Sequence, residues 1–332
     1  MDGQQNQAVP REAGEIAVPG WPDRVLAGMV PLVDASVPNV ARIYDYLLGG
    51  KDNFAADRDA AAELLALIPD AQAACHQNRV FVRRAVRFLT GQAGIRQFID
   101  IGTGLPTQGN VHDIAQATTS DARVAYVDYD PVVVSHAQAL LATTPTVAVI
   151  NGDLRNPEQI LIDPALRELI DFSQPVAILL AAILHFIADD EHPYQIADTL
   201  KAAIPPGSYL VLSHITADEV PEETSRKAQS IYEGATAPIF PRRREAIRRF
   251  LDGLETASGP GVIDVGLPQP WAPLAPGEPE PAHPLTLEGR TLICAGVGRK
   301  PTVAPAIPYC AVRGVPILAI PPGQDAFSRS TG

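Results

Sequence analysis

Cysteine is scarce in this chain of 332 residues, and the 3 present are Cys75, Cys294 and Cys310. No two of them stand in CxxC spacing, and none sits in a metal-ligand pattern. That leaves no disulfide framework and fits a reducing, cytoplasmic compartment. Long apolar runs are also missing. The longest, Val176 to Leu184, falls far short of the roughly 20 residues a bilayer span needs, so no transmembrane helix is expected. The start, Met1-Asp2-Gly3-Gln4, has no basic cluster followed by an apolar stretch, so no leader peptide is expected. Basic charge is outweighed: 26 Lys and Arg face 38 Asp and Glu, for a formal net charge of −12. A protein that grips phosphates non-specifically needs the opposite balance, so nucleic acid is not an expected partner. One local exception is the run Arg242-Arg243-Arg244 with Arg248 and Arg249, which reads as a solvated helix face.

Proline is plentiful, with 32 residues, but is thin between Asn39 and Gly259 and dense beyond Pro260. Proline lacks a backbone donor and fixes φ, so dense runs of it do not build helix interiors or central strands. The regular part of the chain should therefore be its middle. Residues 1–37 read as a tail. A domain is expected over 38–301, divided into a helical segment at 38–95 and an α/β core at 96–301. Residues 302–332 read as a poorly ordered extension.

Within the middle, Val40, Ile43, Tyr44, Leu47 and Leu48 fall on one face of a helix, with Asn39 as N-cap and Gly49-Gly50 as its stop. Further helices are expected at about Asp57 to Ile68 and Gln77 to Leu89. From Gln97 the pattern becomes strand, loop, helix. Strands are expected at Phe98 to Ile101, Val124 to Val127, Val147 to Ile150, Val176 to Leu184 and Tyr209 to Ser213, separated by helical stretches. Five βα units in succession imply a doubly wound parallel sheet. Two charged helices follow, and the segments Val262 to Val265 and Thr291 to Ala295 are expected to pair as an antiparallel hairpin.

Three segments after strand ends carry candidate chemistry. Asp100-Ile101-Gly102-Thr103-Gly104 is a glycine-rich turn before a helix, where a ligand can approach the backbone. The alternative is a plain tight turn, and the GxGxxG dinucleotide fingerprint fails at Thr107. Asp128 ends the second strand, where a carboxylate can accept ribose hydroxyls, while Asp130 before Pro131 suits a helix cap. Asp153, after the third strand, is placed to meet an adenine amino group or simply to make a turn. All lie at strand C-termini, the side on which open α/β sheets bind ligands.

These segments, together with the Ala41 to Phe54 run, Asn78-Arg79, Leu184-His185-Phe186 and Gly296 to Pro301, resemble the actinobacterial S-adenosyl methyltransferase family, formerly a domain of unknown function. That family lies within the class I S-adenosylmethionine-dependent methyltransferases. The resemblance implies a Rossmann-like, seven-stranded α/β sheet with an antiparallel last strand and an N-terminal helical lid. It implies S-adenosyl-L-methionine as cofactor. Gly102 and Gly104 would face its methionine part, Asp128 the ribose and Asp153 the adenine, with Thr103, Tyr129 and Leu154 also among the cofactor-binding residues. Tyr46, Gly50 and Asn53 would belong to a lid over the methionine end. The proline-rich stretch from Trp271 to Pro284 departs from the family's pattern.

His185, after the fourth strand, is the candidate general base, with His214 second. Each has an alternative role as a hydrogen-bonded histidine shaping the pocket. No Asn-Pro-Pro-Tyr motif of amino-methylating enzymes follows the fourth strand, which favours an oxygen, carbon or sulfur acceptor on a small molecule. A nicotinamide-dependent oxidoreductase is the main alternative, opposed by the missing third glycine and the lack of a Tyr-x-x-x-Lys pair. A non-catalytic cofactor-binding module is the other.

Overall fold

A computed structural model describes residues 33–106, 109–256, 263–264 and 292–302. The expected tail at 1–37 and extension at 302–332 lie almost wholly outside the described residues, as does the Trp271 to Pro284 stretch. Three helices come first: α1 (Val40–Leu47), α2 (Ala55–Leu67) and α3 (Ala71–Gly91). Asn39 caps α1 as expected, its side chain accepting the N–H of Ala41 and Arg42 at 2.9 and 3.1 Å. The α1–α2 pair turns on one carboxylate. Asp57 is fully buried and accepts from Asn39 N at 2.8 Å, Phe54 N at 2.7 Å and Arg42 Nε at 2.7 Å. Three donors offset the cost of taking that charge out of water.

Helix α3 begins six residues earlier than its apolar periodicity predicts. Its first turns, Ala71 to His76, carry little apolar pattern but are rich in alanine, the strongest helix former.

The sheet follows. Its strands are β1 (Gln97–Ile101), β2 (Arg123–Asp128), β3 (Val147–Asn151), β4 (Ala177–Ala181), β5 (Tyr209–Ile215), β6 (Glu255–Thr256), β7 (Ile263–Asp264) and β8 (Ile293–Arg299). The spatial order is β3-β2-β1-β4-β5-β8-β6, with β7 also paired to β8. Strands β1 to β5 run parallel, and β8 is antiparallel to β5 from Tyr209↔Arg299 to Ile215↔Ile293. Strands β6 and β7 share the outer edge of β8, so the sheet is seven strands wide. The expected terminal hairpin is present as the β7–β8 pair, Ile263↔Ala295 and Asp264↔Cys294. This is the Rossmann-like, doubly wound α/β architecture with an antiparallel last strand.

Between the strands lie α4 (Val111–Thr118), α5 (Pro131–Leu140), α6 (Pro157–Ile162), α7 (Pro164–Leu169) and α8 (Pro193–Ala203). After β5 come α9 (Glu222–Glu233) and α10 (Arg244–Arg249). Alternate strand residues feed two cores, as the pleat requires. Phe98, Tyr126, Leu179 and Val211 pack with Phe81, Ala85 and Leu89 of α3 on one face. Ile99, Val127, Ile178 and Leu212 pack with Ile196 and Leu200 of α8 on the other. Both sheet faces are covered, which is why the strands read as near-continuous apolar runs. Among the described residues no helix is long and apolar enough to cross a membrane.

Two expectations need correction. The apolar run Val176 to Leu184 is not one strand. Strand β4 stops at Ala181, Ala182 takes φ 55°, and Leu184–Phe186 forms a 3-10 turn. An apolar run alone does not separate a buried strand from a buried turn. Nor is the arginine run a uniformly solvated face. Arg242 is only 7% exposed and donates to Leu184 O, Ile187 O and Asp189 Oδ1 at 3.0, 2.7 and 2.7 Å.

Candidate functional site

The chain order reverses beside β1, which has β2 on one side and β4 on the other. A crevice opens there, past the C-terminal strand ends. Gly102, just after β1, has φ 75°, and a Cβ on it would lie 2.5 Å from the Ile183 side chain. Only glycine fits both the conformation and the space. Gly102 N donates to Val127 O at 2.8 Å, and Thr103 Oγ1 donates to Asp100 O at 3.0 Å. Gly104, at φ 66°, has open space where its Cβ would be, so its backbone is approachable.

Asp128, at the end of β2, anchors this turn. Its Oδ2 accepts Gly104 N and its Oδ1 accepts Asp130 N, both at 3.0 Å. Burial pushes its carboxyl up to about 6, against the lowering effect of those N–H donors. Asp100 is pushed up to about 7, again chiefly by burial, with Asp128 adding to the rise and Arg79 opposing it. Asp130 caps α5 by accepting Val132 N at 2.8 Å, as expected, and also accepts Asn39 Nδ2. The cap of α1 is thereby tied to the cap of α5, drawing the N-terminal helices over the crevice.

The result is a covered cavity with two contrasting ends. Its polar end holds Asp100, Gly102, Gly104, Asp128 and Arg79. Its other end, under α1, α2 and α9, is walled by Leu47, Leu64, Ile68, Val220, Tyr232 and Ile239. Between them an aromatic row runs from His185 to Phe186, with centroids 4.5 Å apart, and on to Tyr232 at 6.4 Å.

Of the residues singled out from sequence, Gly102, Thr103, Gly104, Asp128, Tyr129 and His185 line this one cavity. Tyr46, Gly50, Asn53, Asp153 and Leu154 do not line it. Gly50 and Asn53 instead wrap Asp45, a cavity-lining carboxylate. Asn53 Nδ2 donates to Asp45 Oδ2 at 2.9 Å, and a Cβ on Gly50 would run into the Asp45 carboxyl. Asp153 is engaged by Arg155, with Nη2 to Oδ2 at 2.9 Å, and Leu154 is buried in the core beneath β3. Tyr44 and Asp45, within the segment expected to form the lid, also line the cavity, as do Asn78, Arg79 and Tyr232, to which the sequence assigned no individual site role. A signal existed for Asn78: it stands three residues before Phe81 on the buried face of α3, where a polar residue is out of place.

The two histidines differ. His214 is completely buried; its Nδ1 donates to Ile215 O at 2.7 Å and its Nε2 accepts from Arg242 Nη1 at 2.9 Å. Both ring nitrogens are used, and burial holds its pKa down at about 3. It braces the pocket wall. His185 lines the cavity; its Nδ1 accepts Ile215 N at 3.4 Å, which leaves the hydrogen on Nε2. Burial, with His214 and Arg242 nearby, holds its pKa well below the usual histidine range.

The residues at the polar end fit S-adenosylmethionine. They supply a half-buried carboxylate at the end of β2, an approachable glycine turn and, on Asn78, a buried amide oxygen with no hydrogen-bond partner. The family model of the S-adenosyl methyltransferases matches residues 28–301. Among solved structures, the chain is similar to a Thermobifida fusca YX protein assigned as a methyltransferase. Identity is 42% and the TM-score 0.71, over 81% of this chain and 97% of that one. It is also similar to a DUF574 family protein from Streptomyces avermitilis MA-4680, at 37% identity and TM-score 0.72, over 81% of this chain and 99% of that one. No curated protein matches it. A family match over most of the chain, on a fold with the cofactor crevice in place, shows that the chain belongs to the S-adenosyl methyltransferase family and is an S-adenosylmethionine-dependent methyltransferase.

Proposed function

We propose that the enzyme methylates an oxygen, carbon or sulfur atom of a small, largely apolar molecule held under α1, α2 and α9. The observation that carries this reading is the division of one cavity into a polar end at the strand termini and an apolar end beneath helices. Bound at the polar end, S-adenosylmethionine supplies an electrophilic methyl group on a sulfonium. Asp128 would hold the ribose, with Tyr129 beside it, while Gly102, Thr103 and Gly104 offer backbone to the methionine part. Asp153 and Leu154 would bound the adenine, and Tyr46, Gly50 and Asn53 would act through the loop that fixes Asp45.

The apolar walls place the acceptor and keep water away, and positioning of this kind supplies much of the rate of an in-line displacement. His185 is the side chain proposed to meet the acceptor. With its hydrogen on Nε2 and its pKa held low, it serves better as a neutral hydrogen-bond donor than as a proton acceptor. A net charge of −12 supports a small-molecule acceptor over nucleic acid. Titration calorimetry with S-adenosylhomocysteine and with NAD, followed by transfer of label from S-adenosylmethionine into fractionated extract, tests the reading. Label in low-molecular-weight, organic-extractable material supports it. Label only in protein or RNA overturns it.

A further inference from the structure

We infer that Asn78 selects for the ammonium group of the cofactor's methionine moiety, accepting its hydrogen at Oδ1. This rests on the cofactor reading above and adds a residue and an atom to it.

Cys75 O is a backbone carbonyl and can only accept. Tyr44 OH lies 3.3 Å from it and donates its single hydrogen there. The Tyr44 oxygen then has only lone pairs left, so the Asn78 group facing it at 3.0 Å must be the Nδ2 donor. The amide is thereby locked in one orientation, with Oδ1 turned the other way. That oxygen is buried and is the sole buried side-chain polar atom without a hydrogen-bond partner among the described residues. Asn78 is 2% exposed and lines the cavity. An unmet acceptor in a dry site carries a desolvation cost that a ligand donor would remove.

The surroundings indicate which donor. Asp100 lines the same polar end and carries negative charge once ionised; Asp128 lies beyond it. Among the described residues, the cation lining that end is Arg79, adjacent to Asn78 in the sequence, with Nη2 donating to Gly109 O at 3.3 Å. An amide oxygen, carboxylates and a guanidinium that acts on one of them together match a zwitterion, whose ammonium would meet Asn78 and Asp100 and whose carboxylate would meet Arg79. The donor is therefore an ammonium rather than a neutral hydroxyl from the acceptor molecule, which would lack the charge–charge attraction of an ionised Asp100.

The test compares S-adenosylhomocysteine, its desamino analogue and its decarboxylated analogue by calorimetry on the full-length protein and on Asn78→Leu, with thermal melts as a folding control. The native protein should prefer S-adenosylhomocysteine over the desamino analogue by about ten- to a hundredfold, the range for a hydrogen bond to a charged group. Asn78→Leu should cut that preference about tenfold, to what Asp100 alone supplies, while leaving the penalty for decarboxylation unchanged. Retention of the full native preference in Asn78→Leu overturns the inference. If Asn78→Leu does not fold, Tyr44→Phe takes its place: freeing the amide to rotate should shrink the preference, and an unchanged preference overturns the inference. Native protein that binds S-adenosylhomocysteine and the desamino analogue equally also overturns it and leaves the cofactor reading standing. Native protein that binds neither overturns both.

Discussion

At the polar end of the cavity the walls are strand ends and tight turns; at the apolar end they are helix faces held together by a few buried polar ties. The turn after β1 is fixed largely through its own backbone N–H groups. Gly102 and Thr103 bond to β2, and Gly104 bonds to Asp128. The cover is fixed by side chains: Asp57 gathers α1 and α2, and Asn39 reaches Asp130. A sheet-borne site tolerates little local variation but survives changes elsewhere. A helix-borne wall can change its lining residue by residue, yet depends on its ties. That division suits an enzyme family with one cofactor and open choice of acceptor.

The largest effect that would break this comparison is loss of the cover's central tie. Asp57→Ala should destabilise the protein by about 3–5 kcal/mol, because Arg42 would be left charged and nearly unexposed without its partner. Urea unfolding measures this, and a cost below about 1 kcal/mol would mean the cover does not depend on that carboxylate. At the other end, Gly102→Ala should cost about 2–4 kcal/mol in stability or cofactor affinity together. It combines a left-handed φ with a Cβ pressed against Ile183. Asp128→Ala should weaken S-adenosylhomocysteine by about 1–3 kcal/mol, the range for lost charge-assisted hydrogen bonds. Calorimetry that finds native affinity would remove Asp128 from the cofactor contacts.

The two ends also differed in how much of them sequence revealed. The sheet, its order of elements and the glycine turn were legible, because buried parallel strands are apolar runs and each ends at a turn with recognisable residues. Strand β6 was not, since its two residues, Glu255 and Thr256, carry no pattern. The cover was legible as helices but not as a wall. Periodicity shows that Tyr44 and Leu47 share a face, not that the face closes over β1. Arg242 was misread for a related reason. Its neighbours Arg243 and Arg244 have the same composition, and only the tertiary fold brings Leu184 O, Ile187 O and Asp189 to the first of them. Asn78 had a local signal, but its meaning depends on Tyr44 and Cys75, which reach it only through the packing of α1 on α3.

The smallest expected effect sharpens the comparison through pH. Asp100 and Asp128 sit at about 7 and about 6 in the folded protein, both raised by burial. In the unfolded chain both would ionise near the ordinary 3.8. The native state therefore holds protons that the unfolded state has released, and the stability these groups contribute is lost as pH rises from about 4 through 7. Ligand binding has the opposite sign, because an ammonium at the polar end favours the ionised carboxyls. Between pH 5.5 and 7.5 this loss is opposed by His185 and His214, which stay neutral in the folded protein and become charged in the unfolded chain below about 6.5. The carboxyl contribution therefore shows as a difference between variants, while affinity for S-adenosylhomocysteine increases with pH. Asp100→Asn should make the melting temperature rise more with pH than in the native protein and flatten the rise in affinity, whereas Tyr232→Phe at the apolar end should leave both slopes as they are. Scanning calorimetry with and without ligand at three pH values measures the two slopes together. Equal slopes in native protein and Asp100→Asn would show that the polar end does not couple proton release to cofactor binding, and that its carboxyls act only as structural acceptors like Asp57 in the cover.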